Sequence, residues 1–313
     1  MIDQKITFKD MENGNYYRTI ILIKDIRDYS TNMGVPFVRF KIADTKGEVT
    51  ASMFNTTVEE VMDNGFTKGS IVEASIKYNS PYYNITNMSV CTDMDVTLND
   101  FIPSIPDSVN EIMDEIRIIL AKDIDMSIPD NQKLVRVVTE ILTRFEEKFV
   151  TFPAGKSNHH SVKGGLLIHS YRMLKSASNL AKSYPEYDVA LLETGCLLHD
   201  IGKTQEFYID EYGSFEYTED GILYGHPELG MMIIRNVADE LDCYCEKIRQ
   251  LAHIVLSHHG YNSKGGITPC SLEARCVRFL DQIDVMVYKN TLRKGNTDLR
   301  CDESDDFNQI VVS

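Results

Sequence analysis

Residues Val35–Phe54, VPFVRFKIADTKGEVTASMF, decide how the first third of the chain folds. Val38, Phe40 and Ile42 alternate with Phe37, Arg39 and Lys41. That is the period of a strand with one apolar face. Thr45-Lys46-Gly47 reads as a turn, and Val49–Phe54 as the strand returning from it. A lone hairpin is marginal in water, so further strands are needed. Upstream, Tyr16–Lys24 is rich in strand-forming residues. Downstream, Thr56 or Thr57 is placed to cap a short helix within Asn55–Asn64, with Val58, Val61 and Met62 as its apolar positions. Ile71–Tyr78 and Tyr82–Val90 alternate again, separated by Asn79-Ser80-Pro81.

Three strands, a short helix and two strands is the layout of a five-stranded Greek-key barrel, the OB-fold. The Val35–Phe54 string resembles the strand–turn–strand segment of OB domains that bind nucleic acid. Strict alternation in a barrel buries one of Phe37 and Phe40 and not the other, and Phe37 is expected to face outward. Phe37, Arg39 and Lys41 are then candidate substrate-binding residues, extended by Phe54, Lys77, Tyr82 and Tyr83. Base stacking on such rings contributes about 1–3 kcal/mol per base whatever the sequence. Charge contributes little, because residues 1–100 hold ten Lys/Arg against fourteen Asp/Glu.

The 313 residues allow two domains, and the 43% hydrophobic and 25% charged content is that of an ordinary globular protein. A net charge of −15 excludes attachment to nucleic acid by bulk positive charge. No apolar run approaches the roughly 20 residues of a membrane-spanning helix, and MIDQKITFKD does not read as a secretory signal. The seven cysteines form no CxxC pair and are expected as reduced thiols in a cytoplasmic protein. Cys243 and Cys245 are a minor candidate for a metal pair. Homo-oligomerisation is left open.

After the barrel (residues 1–92), residues 93–107 hold aspartates and prolines without periodicity and read as a linker. From Ser108 the period becomes helical. Val109, Ile112, Met113 and Ile116 form one stripe, and Leu134, Val137, Val138, Ile141, Leu142 and Phe145 another. No strand is expected in residues 108–300, which read as an all-α domain. Residues 301–313 are expected to form an acidic tail.

All eight histidines fall between positions 159 and 259. In order, the candidate ligands are His169, His199-Asp200, His226, His258-His259 and Asp281. Neighbours on a helix point about 100° apart, so His199 and Asp200 reach one ion only across a helix end. Gly202 is expected to let the chain leave the helix there. Imidazole plus carboxylate suits manganese, iron, cobalt, nickel or zinc rather than calcium. The lack of thiolate ligands argues against a structural zinc. His253, inside AHIVL, reads as structural, and Asp284 as a supporting carboxylate or a solvated one.

This order, H…HD…H…HH…D with LLHDIGK as its most diagnostic piece, resembles the HD superfamily of metal-dependent phosphohydrolases. With the barrel in front, and with PAGKSNHHSVKGGLLIHS leading into His169, residues 10–300 resemble 3′-to-5′ exoribonucleases of the YhaM type. The resemblance implies His169, His199, Asp200 and Asp281 as core ligands. It implies His226, His258 and His259 as supports for a second ion, without choosing between the last two. Lys203 matches the lysine that faces the phosphate, and with Asp200 is the catalytic candidate. Asp200 holds one ion, bridges two, or orients water. His159 and His160 are candidate phosphate contacts. The implied cofactor is one or two divalent ions, manganese foremost. The implied substrate is single-stranded RNA cut to nucleoside monophosphates, with single-stranded DNA left open. The rival readings are an HD-type phosphohydrolase of a small nucleotide and a non-catalytic RNA-binding protein.

Overall fold

The computed structural model describes residues 6–102, 104–155, 162–210, 212, 214–260 and 266–293. His159, His160 and the acidic tail lie outside the described residues.

Five strands close a barrel in the order β1-β2-β3-β5-β4: β1 Tyr16–Ser30, β2 Pro36–Ala43, β3 Glu48–Phe54, β4 Ile71–Asn79 and β5 Tyr82–Val90. Helix α1, Val58–Asp63, follows β3. Thr57 caps it by accepting from the Glu60 backbone N–H, and Glu60 returns the favour in a capping box. All neighbouring strands pair antiparallel except β3 and β5, which close the barrel in parallel. Val38, Phe40 and Ile42 are fully buried, with Ile21, Ile23, Ala74 and Ile76 opposite them.

β1 runs six residues beyond the Lys24 expected as its end. Its first half, Tyr16–Leu22, pairs with β4, and its second half pairs with β2. A register shift between Ile23 and Asp25 makes the changeover. Asp25, Arg27 and Asp28 interrupt the apolar alternation, which hides this second half from a periodicity reading. Lys24, at the shift, is buried and pairs with Glu48 at 2.9 Å.

The stretch after the barrel is not bare linker. Leu98–Phe101 makes a 3₁₀ turn, and Phe101 is buried against Leu22 and Ala43. A single aromatic without periodicity gives no pattern to read.

The second region contains α2 Val109–Asp123, α3 Pro129–Thr151, α4 Gly165–Ser183, α5 Val189–Leu198, α6 Lys203–Glu206, α7 Glu219–Leu223, α8 His226–Glu240, α9 Glu246–Ser257 and α10 Leu272–Arg293. Contrary to expectation it also holds two strands, β6 Phe207–Ile209 and β7 Phe215–Tyr217, paired as a small antiparallel sheet. At three residues each they are too short to show a period of two. Every residue of α5 from Ala190 to Leu198 is buried, so α5 is the central helix. α4, α9 and α10 pack around it.

The β6–β7 connection meets the barrel. Lys68 pairs with Asp210 at 3.2 Å and sits 4.7 Å from the centre of the Tyr212 ring. Gly69, at φ +90°, lies so close to that ring that a Cβ would be 2.2 Å from it.

Candidate metal centre

Four helices and their ends converge beside α5. His169 lies in the second turn of α4, His199 caps the C-terminus of α5, and Asp200 follows it. His226 opens α8, His258 caps the C-terminus of α9, and Asp281 comes from α10. His169, His199 and His258 are 0% exposed and Asp200 1%, a depth at which ionisable groups need partners.

Asp200 stands between two groups of imidazoles. Its Oδ2 is 3.3 Å from His199 Nε2 and 3.8 Å from His169 Nε2. Its Oδ1 is 3.3 Å from His226 Nε2 and 3.6 Å from His258 Nε2. Asp281 joins the first group, with Oδ1 3.3 Å from His169 Nε2. His259 joins the second, with Nε2 2.9 Å from His226 Nε2. His169-His199-Asp200 and His226-His258-His259 each offer ligand atoms within 4.8 Å of one another.

The outer nitrogen of each ring sets what the inner one presents. His199 Nδ1 lies 3.0 Å from the Cys196 carbonyl, and His258 Nδ1 2.6 Å from the Val255 carbonyl. A carbonyl only accepts, so both Nδ1 atoms carry the proton and a neutral ring turns a bare Nε2 inward. Carboxylates play that part elsewhere: Asp284 Oδ2 is 2.8 Å from His169 Nδ1, and Glu206 Oε1 is 3.1 Å from His226 Nδ1. The centre is thus lined by lone pairs and carboxylate oxygens. Asp200 Oδ1 and His258 Nε2 are buried with no hydrogen-bond partner. Buried acceptors such as these two, left without a donor, fit a cation, and outer partners that fix ring orientation are what metal-ligating histidines need.

The electrostatics agree. Burial disfavours charge on Asp200, but Lys203 and His199 beside it hold its carboxyl well below the usual range. Burial likewise works against Asp281, which His169 outweighs. Burial opposes charge on His169, yet Asp281 and Asp284 hold its pKa up at about 9, so a proton takes the cation's place there. Burial pushes His226 and His258 well below the ordinary histidine value and lowers His259, keeping those rings neutral as ligation requires.

Lys203 is buried, donating to Asp200 Oδ2 at 2.6 Å and to the Ala154 carbonyl. Gly202 does not release the chain from a helix: its φ and ψ, −59° and −21°, are helical. Its glycine is needed because a Cβ would stand 1.9 Å from the His226 carbonyl oxygen. Glu206 escaped the sequence reading. It lies 20 residues before its partner histidine, and only the β6–β7 excursion brings them together. His253 accepts from the Cys270 backbone N–H at 3.0 Å. Cys243 donates to the Leu241 carbonyl, and neither it nor Cys245 belongs to a ligand group among the described residues.

On the barrel, the outward face carries a row of rings. Phe37 stacks between Tyr29 and Phe54, at centroid distances of 5.6 and 5.2 Å. Arg39 lies 4.6 Å over Tyr29. Tyr29 sits in the unread half of β1 and was missed for that reason. Lys41 pairs with Glu48 at 2.6 Å, and Tyr82 is 70% exposed. Lys77 stands 5.1 Å over the Tyr16 ring. Tyr83 turns inward against Phe8 and Tyr78 and adds nothing to the outer face.

A closed barrel joined to helices that gather histidines around an HD pair defines a hydrolase of the HD class. The HD domain family model matches residues 166–286, which span His169 to Asp284. A model for a helicase family matches residues 110–190, short of the His-Asp pair. Among curated proteins, the chain is 30% identical over 287 residues to the 3′-5′ exoribonuclease YhaM of Oceanobacillus iheyensis, covering 88% of this chain and 87% of that one. It is 30% identical over 279 residues to YhaM of Halalkalibacterium halodurans, covering 87% and 83%, and 27% identical over 284 residues to that of Bacillus licheniformis, covering 88% and 87%. The chain belongs to the YhaM family of 3′-5′ exoribonucleases.

Proposed function

We propose that the protein is a metal-dependent 3′-to-5′ exoribonuclease that hydrolyses single-stranded RNA to nucleoside monophosphates, with single-stranded DNA as a secondary substrate. The observation that carries this is Asp200, whose two oxygens face two separate histidine groups, in a chain whose barrel has an aromatic outer face. His169, His199, Asp200 and Asp281 would hold one divalent ion; Asp200, His226, His258 and His259 would hold a second. Manganese suits the nitrogen and oxygen donor set. When bound, such ions supply positive charge for phosphate oxygens and acidify water.

The chain's own residues do the remaining work. Asp284 and Glu206 aim the His169 and His226 rings, and Lys203 holds Asp200 in register between the two groups. Tyr29, Phe37 and Phe54 offer flat faces to bases, Arg39 adds charge beside them, and Lys41 and Tyr82 extend the surface. His159 and His160 act as phosphate contacts ahead of α4. The barrel of residues 1–92 serves as the strand-holding unit, and the helices of residues 108–300 as the hydrolytic one. No described helix is long and apolar enough to cross a membrane, and the assignment to the cytoplasm rests on the reduced-thiol reading.

Labelled single-stranded RNA, duplex RNA and a panel of nucleotides, each incubated with the protein and manganese, test this reading. The expected result is stepwise shortening of the single strand from its 3′ end with release of monophosphates, abolished by chelator. Turnover of small nucleotides alone would assign the protein to the rival hydrolase class. Binding of RNA without shortening under any divalent ion would make it a binding protein.

A further inference from the structure

The centre described above is rich in acceptors, and its nearby lysine is committed: Lys203 is spent on Asp200 and Ala154. A phosphodiester arriving there needs a donor of its own. One cation is placed to be that donor and has no task yet.

Arg278 lies on α10, three residues before Asp281 and therefore on the same side of the helix, about one turn away. Its guanidinium rests against Gly260, which directly follows His258 and His259. A Cβ on Gly260 would lie 2.6 Å from the guanidinium carbon and 2.8 Å from Nε and Nη1. Gly260 also holds φ +72°, a conformation open to glycine. The chain after α9 thus leaves room for this guanidinium against the residue that directly follows His258-His259. Nε of Arg278 is buried with no hydrogen-bond partner. Among the described residues no carboxylate pairs with the guanidinium, although Asp281 and Asp284 are on the same helix. Asp281 is turned to His169 instead, at 3.3 Å. The side chain as a whole is half-buried, so its remaining N–H groups are within reach from outside. An arginine held still by backbone, short of acceptors and one turn from a cation ligand matches the fork geometry of a phosphate.

We propose that Arg278 binds a phosphate of the substrate at the edge of the metal centre, with Gly260 as the residue that makes room for it. This rests on the phosphodiester reading of the site but not on the polymer being RNA. The guanidinium neutralises the non-bridging oxygens and fixes the strand's approach on the side of α9 and α10. Lys203 acts on Asp200.

The test uses the full-length, manganese-loaded protein as wild type, Arg278→Ala, Arg278→Lys and Gly260→Ala. Two substrates are compared, a labelled oligoribonucleotide and bis(p-nitrophenyl) phosphate. Arg278→Ala is expected to lower kcat/KM on both by about 30-fold or more, with Arg278→Lys recovering part of the loss. Gly260→Ala is expected to resemble Arg278→Ala. Manganese binding by calorimetry and the thermal midpoint should stay at wild-type values in Arg278→Ala. The slope of log affinity against log salt for the oligonucleotide should fall by about 0.7, one phosphate contact on a single strand. Equal kcat/KM for wild type and Arg278→Ala on both substrates would overturn the proposal, as would loss of manganese binding in that variant. Arginine-dependent turnover of the small diester without turnover of RNA would sink the exoribonuclease reading and leave this one standing.

Discussion

Oε1 of Glu206 lies 3.1 Å from Nδ1 of His226 and 3.2 Å from its backbone nitrogen. One carboxyl therefore fixes both the ring and the first turn of α8. Burial pushes this carboxyl up to about 7 despite the nearby Lys203. Glu206→Gln should keep the hydrogen bond to the backbone while weakening control of the ring. The expected outcome is a drop of about 10–100-fold in affinity for one of two manganese ions, the usual cost of losing an outer partner of a metal ligand. Calorimetric titration with manganese checks it, and two unchanged affinities would refute the role given to Glu206.

Asp200 is shared between two groups, so its loss should damage both. Asp200→Asn removes the charge and keeps the shape. RNA hydrolysis is expected to fall at least about a thousand-fold, a size typical for groups acting on developing charge. RNA affinity carried by the barrel should persist. Parallel cleavage and binding assays separate the two, and a fully active Asp200→Asn would end the assignment.

The stacked row on the barrel predicts the opposite pattern. Tyr29→Ala and Phe37→Ala should each weaken oligonucleotide binding by about 5–100-fold, equivalent to about 1–3 kcal/mol per lost stack. Cleavage of bis(p-nitrophenyl) phosphate should be unaffected. Because the two rings touch, the double variant should lose less than the sum. Fluorescence anisotropy with a labelled oligonucleotide measures this, and full affinity in Tyr29→Ala would remove Tyr29 from the binding face.

Glu193, in the central helix, is fully buried, and neither of its oxygens has a hydrogen-bond partner. Burial, with Asp123 nearby, pushes its carboxyl up to about 8 from an ordinary 4.5. The folded state thus holds a proton that the unfolded chain releases earlier. Its stabilising effect is complete below about pH 4.5, declines as pH rises, and is gone above about pH 8. Glu193→Gln should flatten this slope and raise the thermal midpoint at pH 8 relative to wild type. Melting curves across that range decide it, and parallel profiles for the two proteins would contradict it.

What could be read from the chain alone followed the length of each pattern. Val38, Phe40 and Ile42 announced a strand because three alternations in a row leave one apolar face, and Thr56-Thr57 announced a helix start by chemistry that acts over three residues, the structure choosing Thr57 as the cap. His199-Asp200 could be read only together with the ordered histidines and Asp281 around it and the HDIGK string, since adjacency by itself says little. The second half of β1 could not, since Asp25, Arg27 and Asp28 carry charge where alternation was sought, and Tyr29 was lost with it. Glu206 and Arg278 were silent for another reason. Their significance lies in what stands opposite, His226 and Gly260, and no spacing rule connects them. Gly202 misled by position: beside a helix end it suggested an exit, whereas its missing Cβ makes room for the carbonyl of His226.

Glu206 is followed at once by Phe207, the first residue of β6, and four positions after Glu206 comes Asp210, which meets Lys68 of the barrel. The strip of chain that orients the His226 imidazole is the same strip that meets the barrel. On the proposed reading, a pull exerted on the barrel by a bound strand would reach His226 through a lever only four residues long, from Asp210 to Glu206.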